Sequence, residues 1–157
     1  MVDIRQTGIA DNVTFGDDVT VMEPVNLYGC VIGNGTFIGP FVEIQGEVTV
    51  GDNCRVQSHA FICSLVTVGD NCTVSHGAKF VNDLFLNDGP ARGDRSQWKT
   101  TTLGDNVSIG TNATVLPVSI CSDVIIGAGS VVTRDITEPG YYCGNPARFL
   151  KPLKSGK

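Results

Sequence analysis

The sequence is short of cations, histidines, aromatics and long apolar runs, and each shortage excludes something. Lys and Arg number 11 against 16 Asp and Glu in 157 residues, a formal net charge of -5. The overall field therefore repels phosphate backbones, and nucleic acid is not an expected partner. No apolar run approaches the ~20 residues that a membrane-spanning helix requires. The first ten residues, MVDIRQTGIA, contain charges and no secretory hydrophobic segment, so the expectation is a cytoplasmic chain without membrane contact. With only two His, a zinc site built on three imidazoles is excluded. Cys30, Cys54, Cys63, Cys72, Cys121 and Cys143 include no C-x-x-C pair; reduced thiols are expected, and no bound metal. Aromatics make up 7% and charged residues 17%, whereas apolar residues reach 41% and Gly reaches 19. That is core material joined by many tight turns, in a length that suits one domain over 1–157.

What is present is a six-residue period. From Ile9, steps of six reach Phe15, Val21 and Leu27; after one step of five, the series runs Ile32, Ile38, Ile44, Val50, Val56, Ile62, Val68, Val74 and Phe80. It resumes at Leu103, Ile109 and Val115 and, after a second step of five, at Ile120, Ile126 and Val132. A 3.6-residue helical period produces no such series. Four residues after each stop stands a small or β-branched residue, such as Thr36, Cys54, Ala60, Cys72 or Ala113. One residue earlier stands Asn, Asp or Gly at most positions, types that tolerate a left-handed backbone. Each hexad thus reads as a short strand with two inward side chains, followed by a corner.

Gly-Asp-Asn occurs at 51–53 and again at 69–71, three hexads on. One circuit then has three sides, and equivalent residues 18 apart stack at a strand spacing of ~4.8 Å. The fold class is all-β, a parallel β-helix of about six triangular coils. Cys54 and Cys72 share an inward ladder, as small apolar fillers. From Phe80 to Leu103 the chain takes 23 residues where the period asks for six, so a polar loop, about 83–101, is inserted and projects from one edge; a lid over a site is the reading preferred over a solvated excursion. At the other end, Asn145-Pro146 followed by Ala147-Arg148-Phe149-Leu150 predicts a short helix within a cap, about 145–157. Arg148, Lys151, Lys154 and Lys157 make a local positive patch there, with Arg148 the best placed to meet a phosphate.

The register places both imidazoles on one corner of adjacent coils. Ser58 stacks on His76 and His59 on Gly77, because Val56 and Val74 are 18 apart. Asn82 and Asp83 leave the last regular hexad as the loop begins, and the expectation is that Ser58, His76, Asn82 and Asp83 gather at one cleft.

This register resembles the left-handed β-helix of the hexapeptide-repeat acyltransferases over essentially the whole chain. The left hand comes from that resemblance; general crossover rules favour the right. Gln57-Ser58-His59-Ala60-Phe61-Ile62-Cys63, His76-Gly77-Ala78-Lys79-Phe80-Val81-Asn82-Asp83 and Trp98-Lys99 look like the N-acetyltransferases of nucleotide-linked 3-amino-3,6-dideoxyhexoses. Gly127–Asp135 and Gly144–Arg148 resemble the acetyl-CoA-binding end of the wider superfamily. The resemblance implies a homotrimer with acetyl-CoA as co-substrate between neighbouring prisms, and a nucleotide-linked (dTDP or UDP) amino sugar as acceptor. By the same resemblance, Asn82 and Asp83 hold the amino sugar, His76 is the candidate base, and Ser58 and His59 line the pocket. Lys99 returns toward the diphosphate, Gly110 and Ala128 meet the pantetheine through their backbones, with a Gly110 N–H offered to the oxyanion, and Arg148 meets CoA phosphate. Two alternatives stay open: an O-acetyltransferase using His76 as general base, and a non-enzymatic β-helix scaffold.

Overall fold

The computed structural model describes residues 8–154; the leader reading on residues 1–7 and Lys157 of the basic tail lie outside the described residues. Twenty short strands and one three-residue 3-10 turn make up the regular structure among them. Every third strand pairs in parallel, giving three sheets. The first sheet runs from Thr14–Phe15 to Ser119–Ile120, and the third from Asn26–Leu27 to Val131–Val132. The second runs from Thr20–Val21 through Val124–Ile126 to Gly140–Cys143. Six complete circuits of three strands result, with part of a further one in Gly140–Cys143, in a left-handed β-helix.

The 18-residue circuit is explicit in the pairing. Ile38 sits opposite Val56, Val56 opposite Val74, and Val50 opposite Val68. The two steps of five appear as 17-residue pairings, such as Asn26 with Glu43 and Ser108 with Ile125. Across the inserted loop Val68 pairs with Leu103, 35 residues on, so the 17 extra residues leave the column undisturbed.

The inward ladders form one continuous core, in which Leu27, Ile32, Ile38, Ile44, Ile62, Phe80 and Ile109 are completely buried. At the amino end Ile9 and Phe15 are 41% and 37% exposed, because few described residues stack beneath them. Cys54 and Cys72 are buried as expected, with more than a filling role. Their thiols donate to the carbonyls of Gly69 and Gly104 at 3.1 and 3.2 Å, continuing a ladder that Thr36 begins by donating to Gly51 O and accepting the Cys54 N–H.

The corner between the first and second sheets is held by a relay. The N–H groups of Asn34, Asp52 and Asp70 donate to Oδ1 of Asp52, Asp70 and Asp105 at 2.7–2.9 Å. Each Gly-Asp-Asn corner therefore ties its own circuit to the next, through charge-assisted bonds of the stronger kind. The Asn two positions after the glycine takes the left-handed backbone, at φ 54° in Asn53 and 55° in Asn71.

The expected carboxyl-terminal helix is not formed. Arg148–Lys151 is a strand, antiparallel to Gly140–Cys143. Four residues supply too few internal hydrogen bonds to offset helix nucleation, whereas the open edge of the second sheet offers unpaired backbone groups.

Candidate functional site

Two corners border the third sheet, and they carry the candidate residues. On the corner after the second sheet, the Gly77 N–H donates to Ser58 O and the His59 N–H to Pro40 O, as the register predicts. His59 and His76 are both exposed. His59 takes a left-handed backbone, φ 63°, and its ring lies on that of Phe41 with centroids 4.8 Å apart and planes 11° from parallel.

Asn82 and Asp83 stand on the next corner, across the strand Lys79–Phe80. They line an open pocket of about 370 Å³ with Gln45, Phe61, Arg92 and Trp98 among its other walls. Ser58, His59 and His76 are not among its walls. The two sets therefore flank one face of the prism and do not meet in one cleft within a chain: six residues advance the chain a full side of the triangle, and Asn82 lies six after His76.

The loop is tied at its root. Asp83 accepts from the N–H groups of Phe85 at 2.9 Å and Ala91 at 2.7 Å, one on each carboxylate oxygen. The Lys99 N–H donates to Asn82 O at 2.9 Å, and Asn82 Nδ2 donates to Ser64 O at 3.2 Å. Arg95 bridges to Glu47 at 2.5 Å and lies over the Trp98 ring. A carboxylate oxygen has two lone pairs, so Asp83 keeps acceptor capacity toward the pocket beyond its loop bonds. Lys99 is held at the loop root by its N–H on Asn82 O but is not among the pocket walls, whereas Arg92 and Trp98 are. These two were missed as site residues. The signal for Trp98 was its being the single Trp, set in a polar loop; Arg92 carried no signal above the other loop cations.

Gly110 lies on the His76 corner, and a Cβ there would meet Ala128 N and Ile126 O, each at 2.6 Å. Its N–H donates to Ile126 O at 2.9 Å. That donor belongs to the sheet ladder, and the expectation that it is free for an oxyanion is corrected. The accessible donors are one position on. At the corner between the first and second sheets the equivalent N–H groups go to Asn, Asp or Ser side chains, but those of Ser58, His76, Thr111 and Ala128 have no partner among the described residues. Ala128 is exposed. Arg148 lines a separate cleft of about 180 Å³ with Arg134, Asp135, Tyr142 and Phe149. Among the described residues no group of three His, Cys, Asp or Glu side chains converges, and no helix is long and apolar enough to cross a membrane.

Residues 29–64 match the bacterial transferase hexapeptide family of six repeats, and residues 100–134 match the hexapeptide repeat of succinyl-transferase. Both matched stretches, one before and one after the inserted loop, are hexapeptide repeats. Among curated relatives, the bifunctional protein GlmU of Trichormus variabilis is 29% identical over 159 residues, 95% of this chain and 35% of its own length. GlmU of Synechococcus is 31% identical over 152 residues, 91% of this chain and 33% of its own length. The hexapeptide chain thus spans about a third of those relatives. Among solved structures, a mutant of AntD, an N-acyltransferase from Bacillus cereus in complex with dTDP-4-amino-4,6-dideoxyglucose and coenzyme A, superposes with a TM-score of 0.79 at 22% identity, covering 90% of this chain and 83% of that one. A maltose O-acetyltransferase from Clostridium difficile gives 0.59 at 25% identity, covering 90% and 70%. These likenesses agree on the prism.

Proposed function

We propose that this chain is an acetyl-CoA-dependent N-acetyltransferase whose acceptor is the amine of a nucleotide-linked amino-deoxy sugar. The observation that carries the reading is the polar pocket in which Asn82 and Asp83 meet the inserted loop, on a hexapeptide prism face. Support comes from AntD, which shares the fold and binds a dTDP-linked amino sugar with coenzyme A. The 3-amino position is the finer reading, drawn from the Asn82-Asp83 and Trp98-Lys99 stretches.

The reaction joins a neutral amine to a thioester. Nitrogen attacks the acetyl carbon, the tetrahedral oxyanion takes backbone N–H donors, the C–S bond breaks, and the thiolate leaves as the amine loses a proton. Amines attack near neutral pH without a strong base, so positioning dominates. Asn82 and Asp83 orient the amino sugar, while the unpartnered N–H groups of Ala128 and its corner neighbours suit pantetheine carbonyls and the oxyanion. Arg148, with Arg134 beside it in the same cleft, meets the CoA phosphates, and Lys99 lies on the diphosphate side of the loop root. The donors and imidazoles occupy one corner and the sugar pocket the next, so in a homotrimer the Ser58, His59 and His76 corner of one copy faces the loop pocket of another. His76 then takes the amine proton from across that boundary.

The test is an acetyl-transfer screen over nucleotide-linked 3-amino and 4-amino sugars with matched hydroxyl sugars, read by thiol release. Transfer to an amine is expected. Transfer confined to hydroxyls converts the reading to O-acetylation, and no binding of acetyl-CoA converts it to a scaffold.

A further inference from the structure

Phe41 is out of place by ordinary rules. It takes a left-handed backbone, φ 60°, where the equivalent corner positions of later circuits hold His59, Gly77, Asn112 and Gly129. A bulky aromatic in that conformation is strained, and this one is 57% exposed, so core packing does not explain it. One ring face is covered by the His59 imidazole, one circuit further on. Phe41 also lines a groove of about 310 Å³ with Pro24, Val25, Asn26, Val42 and Glu43, which does not include His59.

We propose that this groove is a nucleobase subsite, and that it takes the base of the acceptor nucleotide; the proposal rests on the nucleotide-sugar reading above. A planar ring lying on the open face of Phe41 extends the Phe41–His59 stack by one member. The polar rim reads its edge. Asn26 and Glu43 are direct neighbours in the parallel pairing, and Glu43 Oε1 already accepts from Gln45 Nε2 at 3.0 Å, which leaves Oε2 for an N–H donor. A carboxylate there accepts from a ring N–H, as on uracil, thymine or guanine, while the Asn26 amide serves the adjacent exocyclic oxygen. Cytosine and adenine present an acceptor nitrogen on that edge and are disfavoured. The Glu43–Gln45 bond also joins the groove to the loop-root pocket, because Gln45 is a wall of the latter. Base and sugar then occupy two pockets of one prism face, and exposed Lys79 stands on that face beside Phe61, one rung further from the groove.

The experiment is calorimetric titration of the whole chain with dTDP, UDP, GDP, CDP, ADP and coenzyme A, in wild type, F41N and E43Q. Asn suits the left-handed backbone, so F41N removes the ring without adding strain. The expected result is binding of the ring N–H bases, weakened about 5- to 100-fold in F41N, with the preference over CDP lost in E43Q and coenzyme A binding unchanged in both. The ADP and coenzyme A arms separate an adenine subsite from an acceptor-base subsite: loss of coenzyme A affinity in F41N overturns the proposal. Equal dTDP and UDP affinity in F41N and wild type overturns it while leaving acetyl transfer to amino sugars intact. Failure of all amino-sugar acetylation with base-selective binding retained overturns the function reading and leaves the groove's preference standing.

Discussion

Replacing Asp83 by Asn separates what its carboxylate does for the loop from what it does for the acceptor. In the native chain the two oxygens take the Phe85 and Ala91 N–H groups. Asn offers one acceptor, so one of those N–H groups then faces an amide NH2. Ala91 is only 5% exposed, and an unsatisfied buried donor costs about 1–3 kcal/mol. That is roughly a 5- to 150-fold larger population of the opened loop. The loop contributes no large side chain to the core, so the melting temperature of the column stays unchanged. Trypsin reads the difference, because Arg92, Arg95 and Lys99 are exposed within the loop and cleavage of an opened segment follows its population. D83N is expected to be nicked between 92 and 99 faster by that factor, while kcat/KM for acetyl transfer falls on this account only as far as the closed-loop population does. If the carboxylate also accepts from the acceptor amine, losing that charge-assisted bond removes about another 1.5–3 kcal/mol, visible in turnover and absent from the nicking rate. Wild-type nicking together with wild-type turnover in D83N refutes both roles.

Three further outcomes are expected. G110A places a methyl 2.6 Å from the Ala128 and Ile126 backbone and destabilises by about 1–3 kcal/mol; calorimetry should show a melting point lower by several degrees, and an unchanged one contradicts the close approach of those circuits. Burial pushes the Cys30 thiol up to about 11 and the Cys63 thiol up to about 12 from an ordinary 9.0. The folded chain keeps protons that the unfolded chain releases, so this contribution is complete below pH 9 and is lost as pH rises toward 11–12. The wild-type denaturation midpoint should fall more steeply above pH 9 than that of a C30A/C63A variant, and parallel curves refute the assignment. H76A should alter the shape of the acetyl-transfer pH profile; a profile identical to wild type removes His76 from proton transfer.

The column was legible because its period is written twice, in the apolar stops and in the Gly-Asp-Asn corners, and each three-sided circuit repeats the same local problem. Val56 against Val74 and the 17-residue insertion followed from counting alone. The site was less legible, because counting places residues along the chain and not across a face. His76 and Asn82 looked adjacent in sequence, yet six residues turn one full side of the prism. The Gly110 N–H was misread for a similar reason, since the ladder uses every strand-flanking donor and spares only the next one. Arg148–Lys151 shows tertiary override: its local signals were those of a helix, and a free sheet edge decided otherwise. Nothing in the pattern marked Phe41, whose hexad position calls for Asn, Asp or Gly.

The reversed strand Arg148–Lys151 has a consequence for how these molecules live at high concentration. A parallel solenoid ends in a bare rung that is a ready template for another molecule, and identical rungs stacked end to end are the geometry of a fibre. A strand running the opposite way, with exposed Phe149 and Leu150 in a register that shifts at Tyr141 and Tyr142, breaks that template on the second sheet. Polymer growth from that end would first have to peel it away.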